Sequence, residues 1–164
     1  MSDASALFGE ETASPAPLRA RHALLKRLAD VVSLPASRVN AFERAVTGDL
    51  LVEMLRLATP EERRRVAARL APLAELPNSV SRLLLRDAPA IAGLLIEQCA
   101  SLTDADLITV IRSRGQGHIR AVSDRAEVSE ALSDAIVEHG DDEALGALLR
   151  NDGARLSRAA SETA

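Results

Sequence analysis

A repeat dominates the second half of this 164-residue chain. Leu76, Leu102 and Val128 stand at steps of 26 residues; Leu84, Val110 and Ile136 keep that step, and so do Leu85, Ile111 and Val137. Within each copy a polar or capping start leads into an apolar helical stripe, a break follows, and a second apolar helix comes after it. One helix cannot bury its apolar stripe alone, so hairpins repeated at a fixed period bury theirs against the copies on either side. The expectation is an all-α fold, a short α-solenoid of stacked helical hairpins, HEAT-like with a period of about 26 residues and with the N-terminal helices packed on one end. No strand alternation or hairpin turn competes with it.

The core of such a stack must come from what the chain contains. Hydrophobic residues make up 47% but aromatics only 1%, namely Phe8 and Phe42. Leu, Val, Ile and Ala therefore fill the interior, and such side chains suit close helix packing. The same scarcity argues against a single-strand nucleic-acid binder, which stacks bases on aromatic rings. A net charge of −4 gives no bulk attraction to nucleic acid or to an anionic membrane. Cys99 is the only cysteine, which excludes an intramolecular disulfide and a cysteine-based metal site. It closes the apolar face Ile91–Leu95–Cys99 and reads as a small buried hydrophobe. No apolar run reaches membrane-spanning length, and the acidic start lacks the features of a signal peptide. A cytoplasmic protein without membrane contact is expected.

Taken in order, residues 1–17 carry Asp3, Glu10 and Glu11 with no basic residue and too little apolar surface to fold, so a disordered acidic tail is expected, with Leu7 and Phe8 its one apolar spot. Residues 18–75 form N-terminal helices. Leu18, Leu24, Leu25, Leu28, Val31 and Val32 share a stripe opposite Arg19, Arg21, Lys26 and Arg27. Val39, Phe42 and Val46 mark a second helix that should end near Thr47-Gly48, and a third should run from Asp49 to Ala58. Thr59-Pro60-Glu61-Glu62 supplies an N-cap hydroxyl, an N1 proline and an N3 glutamate for a fourth. The repeat array occupies 76–158. Its helix starts are Asn78, Thr103 with Asp106, Ser129, and Asp141-Asp142; its breaks are Asp87-Ala88-Pro89, Arg114-Gly115-Gln116-Gly117 and His139-Gly140. Residues 159–164 are expected to fray.

The stretch from Leu76 to Ser157 resembles a bacterial family known only as a domain of unknown function, made of short helical repeats in the style of HEAT-like repeats and leucine-rich repeat variants. Leu102-Thr103-Asp104, Arg112 to His118, Leu132 to Gly140 and Leu148 to Gly153 carry the resemblance. It implies a fold but no reaction, so it brings no catalytic residue with it.

Candidate chemistry is sparse. Arg112, Arg114, His118 and Arg120 surround Gly115-Gln116-Gly117. A glycine-bearing turn at a helix start exposes N–H groups, and guanidinium groups beside it would receive a carboxylate or phosphate. The competing reading is a plain helix–helix turn with solvated arginines. Arg56, Arg63, Arg64, Arg65 and Arg69 could grip phosphate, but Glu61 precedes Arg65 by four residues in the order that favours an ion pair. Glu138, His139, Asp141, Asp142 and Glu143 read as cap and helix-start residues rather than metal ligands. Seven acids between Glu127 and Glu143, against four arginines from Arg112 to Arg125, give adjacent repeats opposite charge. No catalytic, cofactor or metal site is expected. The function expected is a non-enzymatic protein–protein interaction module, a regulatory or scaffolding adaptor for a protein or peptide partner. The alternative is nucleic-acid binding through arginine-rich helix faces.

Overall fold

The computed structural model describes residues 15–163. The acidic segment with Leu7 and Phe8 lies outside the described residues. Ten helices are found among them: α1 (Pro15–Val32), α2 (Ala41–Leu57), α3 (Pro60–Leu70), α4 (Asn78–Leu85), α5 (Pro89–Gln98), α6 (Asp104–Ser113), α7 (Gln116–Ser123), α8 (Glu130–His139), α9 (Asp142–Arg150) and α10 (Arg158–Thr163). The only β pairing among the described residues is one isolated parallel bridge, Val128 with Ala154. No helix among them is long and apolar enough to cross a membrane.

Capping chemistry places most helix starts where the sequence puts them. Thr59 accepts from the Glu62 N–H while Glu62 accepts from the Thr59 N–H, a reciprocal box, and Thr103 with Asp106 forms another. Ser129 accepts from the Leu132 N–H, and Asp141 from the Ala144 N–H. Asn40 with Glu43 makes a third box, ahead of α2. Asn78 behaves otherwise: it is the first residue of α4, Pro77 holds the cap position, and no side chain caps that helix. Gly140 ends α8 in an extended conformation, φ −79°, so the C-cap is not left-handed.

Three boundaries differ from the sequence reading. The first helix starts at Pro15, three residues before Leu18. The break expected at Thr47-Gly48 is absent, and Ala41–Leu57 is one continuous helix. Gly48 serves packing there, since a Cβ at this position would lie 2.8 Å from the Pro77 ring. The stretch expected to fray from 159 begins instead as α10.

Contacts run along two series. α1 meets α3, α3 meets α5, α5 meets α7, and α7 meets α9; beside them α2 meets α4, α6 meets α8, and α8 meets α10. The series are joined by contacts of α1 with α2, α4 with α5, and α6 with α7. α4, α6 and α8 begin at Asn78, Asp104 and Glu130, equal steps of 26 residues. Leu76, Leu102 and Val128 are all buried, as are Leu84, Val110 and Ile136. They belong to one apolar cluster reaching from Leu25 to Leu148.

Polar bonds join successive hairpins. The last carbonyls of a helix lack intrahelical partners. At the end of α5, the Arg125 guanidinium donates to the carbonyls of Ile96 and Cys99. At the end of α7, the Asn151 amide donates to the carbonyls of Ser123 (2.7 Å) and Arg125 (2.6 Å). Arg125 and Asn151 are themselves 26 residues apart. Burial pushes the Arg125 guanidinium below its ordinary pKa, opposed by Cys99 and Asp104.

One cap has a pH signature. The Thr59 backbone N–H, and then the Arg21 charge, hold the Glu62 carboxyl below its usual range against the opposing effect of burial. A depressed folded-state pKa gives stability that is complete above the unfolded value and lost as pH falls through the folded one. Glu62→Gln should therefore cost about 1 kcal/mol near neutral pH. In thermal melts across an acid series, its deficit against the parent should shrink below the unfolded carboxyl pKa. A deficit independent of pH would show that the charge is not what matters.

Candidate functional site

α4 and α6 barely touch, although each packs closely on other helices. A groove of about 370 Å³ opens between them, lined by Arg82, Leu85, Arg86, Asp106, Thr109, Val110, Ser113 and Arg114. Helical spacing puts each set on one face: 82, 85 and 86 on α4 and its C-cap, 106, 109, 110 and 113 on α6. Leu85 and Val110 are buried and form an apolar floor. Arg114 follows α6 and reaches back, its Nη1 donating to the Arg86 carbonyl at 3.4 Å.

The groove is cationic. Arg82, Arg86 and Arg114 form no ion pair among the described residues. Asp106 is the one carboxylate in the lining, and it is occupied by its box with Thr103. The Thr109 and Ser113 hydroxyls donate to helix carbonyls, at 2.9 and 2.6 Å. Guanidinium forks above an apolar floor suit a carboxylate-bearing chain whose aliphatic parts can rest on Leu85 and Val110.

The four residues singled out in the sequence part company. Arg114 enters the groove. His118 is buried, and its Nε2 donates to the Asp87 carbonyl at 2.8 Å. A carbonyl can only accept, so the proton sits on Nε2, and Nδ1 is buried without a partner. Arg120 turns the other way and pairs with Glu143 of α9 at 2.7 Å. Arg112 is exposed and makes no ion pair among the described residues. Arg114 and His118 thus converge on the corner between α4 and α5, while Arg112 and Arg120 stay apart from it. Of the two glycines beside them, Gly117 has a packing duty, since a Cβ there would meet the Pro89 ring at 2.9 Å, whereas one at Gly115 would meet nothing within 4 Å. Gln116 clamps the next hairpin, its Nε2 donating to the His139 carbonyl (3.0 Å) while its Oε1 accepts from the Asp141 N–H (2.9 Å).

The other arginine run is largely neutralised. Arg56 pairs with Glu53, Arg65 with Glu61 at 2.8 Å, and Arg69 with Asp30. Arg63 grips Asp87 with two bonds, 2.6 and 3.3 Å, and also donates to the Ala58 carbonyl at 2.7 Å. Among the described residues, no three His, Cys, Asp or Glu side chains are placed to hold a metal ion.

Residues 91–164 match a family described as an uncharacterised protein conserved in bacteria, DUF2336. The match starts inside α5 and runs through α10. It agrees with the resemblance to a bacterial family of unknown function, and it includes the α6 wall of the groove but not Arg82 and Arg86. No curated protein and no solved structure matches the chain.

Replacing His118 by Ala should cost about 1–3 kcal/mol in urea unfolding, because it removes a buried hydrogen bond and side-chain packing together. Arg112→Ala should stay within about 0.5 kcal/mol of the parent. Equal losses for the two would contradict the placement described.

Proposed function

We propose that this protein is a non-enzymatic interaction module, a short α-solenoid of HEAT-like hairpins whose α4–α6 groove receives an acidic segment of a protein partner. The solenoid reading is supported by the two series of helix contacts and the 26-residue step of α4, α6 and α8. The partner reading rests on one observation. Arg82, Arg86 and Arg114 share a groove without acidic partners, in a chain of net charge −4 that pairs many other arginines. Unmatched charge of one sign in a concave, apolar-floored groove selects partners of the opposite sign. A scaffolding or regulatory adaptor follows from such a surface.

Nucleic-acid binding has less behind it. Arg56, Arg63, Arg65 and Arg69 are engaged by acids of this chain, and no aromatic ring lines the groove for base stacking.

A fluorescent peptide alternating Glu and Leu is the direct probe, with a single-stranded oligonucleotide of equal charge beside it. By anisotropy the peptide should bind, and Arg82→Glu combined with Arg86→Glu should weaken it at least about tenfold, some 1.4 kcal/mol. Peptide binding indifferent to that double substitution would end the proposal. Tighter binding of the oligonucleotide, lost in the same variant, would favour the nucleic-acid reading.

A further inference from the structure

We propose that two copies of this chain associate through their first hairpins, α1 of each against α2 of the other, about a twofold axis. Eight large hydrophobic residues are exposed among the described residues, and seven lie between Leu18 and Leu57. Four of them, Phe42, Val46, Leu50 and Leu57, fall on one face of α2; Phe42 is 76% exposed and Leu57 72%. The opposite face of that helix buries Gly48, Leu51, Val52 and Leu55. A helix with an exposed apolar stripe besides its buried one has a second surface to cover. Among the described residues, the outward face of this hairpin carries large apolar side chains between its charges.

The chemistry beside the stripe identifies the occupant. Asp49 and Glu53 share the outward face of α2; Asp49 has no ion pair among the described residues, and Glu53 has only the exposed Arg56 at 3.3 Å. α2 packed on its own copy would bring four carboxylates together, which disfavours that arrangement. The outward face of α1 carries the complement. Arg19, Ala20, Ala23, Leu24 and Arg27 are exposed there, while Leu25, Ala29 and Val32 are buried, and neither Arg19 nor Arg27 has an ion pair among the described residues. Large apolar side chains on α2 face Ala20, Ala23 and Leu24 on α1, and acids face bases. Both halves belong to the same hairpin, so a twofold axis satisfies both at once, as an isologous interface requires. The helices have 18 and 17 residues, about 26 Å of length each. Two such helices side by side offer an area on the order of the 800 Å² per partner of a standard interface.

Sedimentation velocity on the full chain from about 1 to about 100 μM, the range for a micromolar dissociation constant, tests this. The parent should shift from monomer to dimer, and Phe42→Ser with Leu50→Ser should stay monomeric. Arg19→Glu with Arg27→Glu should weaken dimerisation at least about tenfold, and so should Asp49→Arg with Glu53→Arg. Mixed in equal amounts, those two charge variants should form a heterodimer, because each then meets its complement at both contacts. All of these residues are exposed, and circular dichroism would show the folded helices retained. A parent that is monomeric throughout overturns the proposal. A dimer unmoved by the charge substitutions, or not restored on mixing, overturns it equally.

Discussion

The structure depends on how one hairpin finishes a helix of its neighbour. A helix leaves its final carbonyls without partners, and a buried carbonyl without a donor is costly. At α5 and α7 the missing donors come from the next unit along. Arg125 serves the end of α5, and Asn151 serves the end of α7. Position 99, one step earlier, holds the buried Cys99, whose sulfur contacts the Ser101 hydroxyl at 3.2 Å. The apolar repeat explains why hairpins pack; these donors explain why they pack in one register.

The same logic divides the arginines into two kinds. Some are structural: Arg63 on Asp87, Arg44 on the carbonyls of Val32 and Leu34, Arg125 on Ile96 and Cys99. Their fork geometry satisfies several acceptors at once, which a lysine could not do as well. Others form no ion pair among the described residues, and three of these, Arg82, Arg86 and Arg114, meet where two neighbouring helices fail to close. The gap between α4 and α6 turns a pair of exposed arginines four residues apart into one wall of a groove. The first hairpin shows the converse, with exposed acids on one helix and exposed bases on the other, beside apolar side chains turned from the core.

Much of the fold could be read in the sequence because local chemistry and tertiary demand agree there. Thr59, Thr103, Ser129 and Asp141 cap where their residue types prescribe, and Glu61 pairs with Arg65 as the spacing requires. Gly48 misled for a tertiary reason: its neighbour is Pro77, 29 residues away, so a local breaker became a contact point inside a helix. Asn78 lost its capping role to its own entry into α4. The site was half legible. Arg114 stood out beside its glycines, but nothing in the local sequence marks Arg82 and Arg86, and only the separation of two helices distant in sequence makes them a wall. His118 drew notice as an anion contact beside the arginines, although it is buried at the position that the buried Ala92 holds one 26-residue step earlier.

If neighbour-to-neighbour donors set the architecture, stability must be local along the chain rather than shared equally. Native-state hydrogen exchange on the parent and on Asn151→Ala measures that directly. Protection should fall in α7 to α10, next to the lost bonds, while the amides of α1 to α3 keep their parent rates. An equal loss of protection in every helix would mean a single cooperative bundle and would contradict the account.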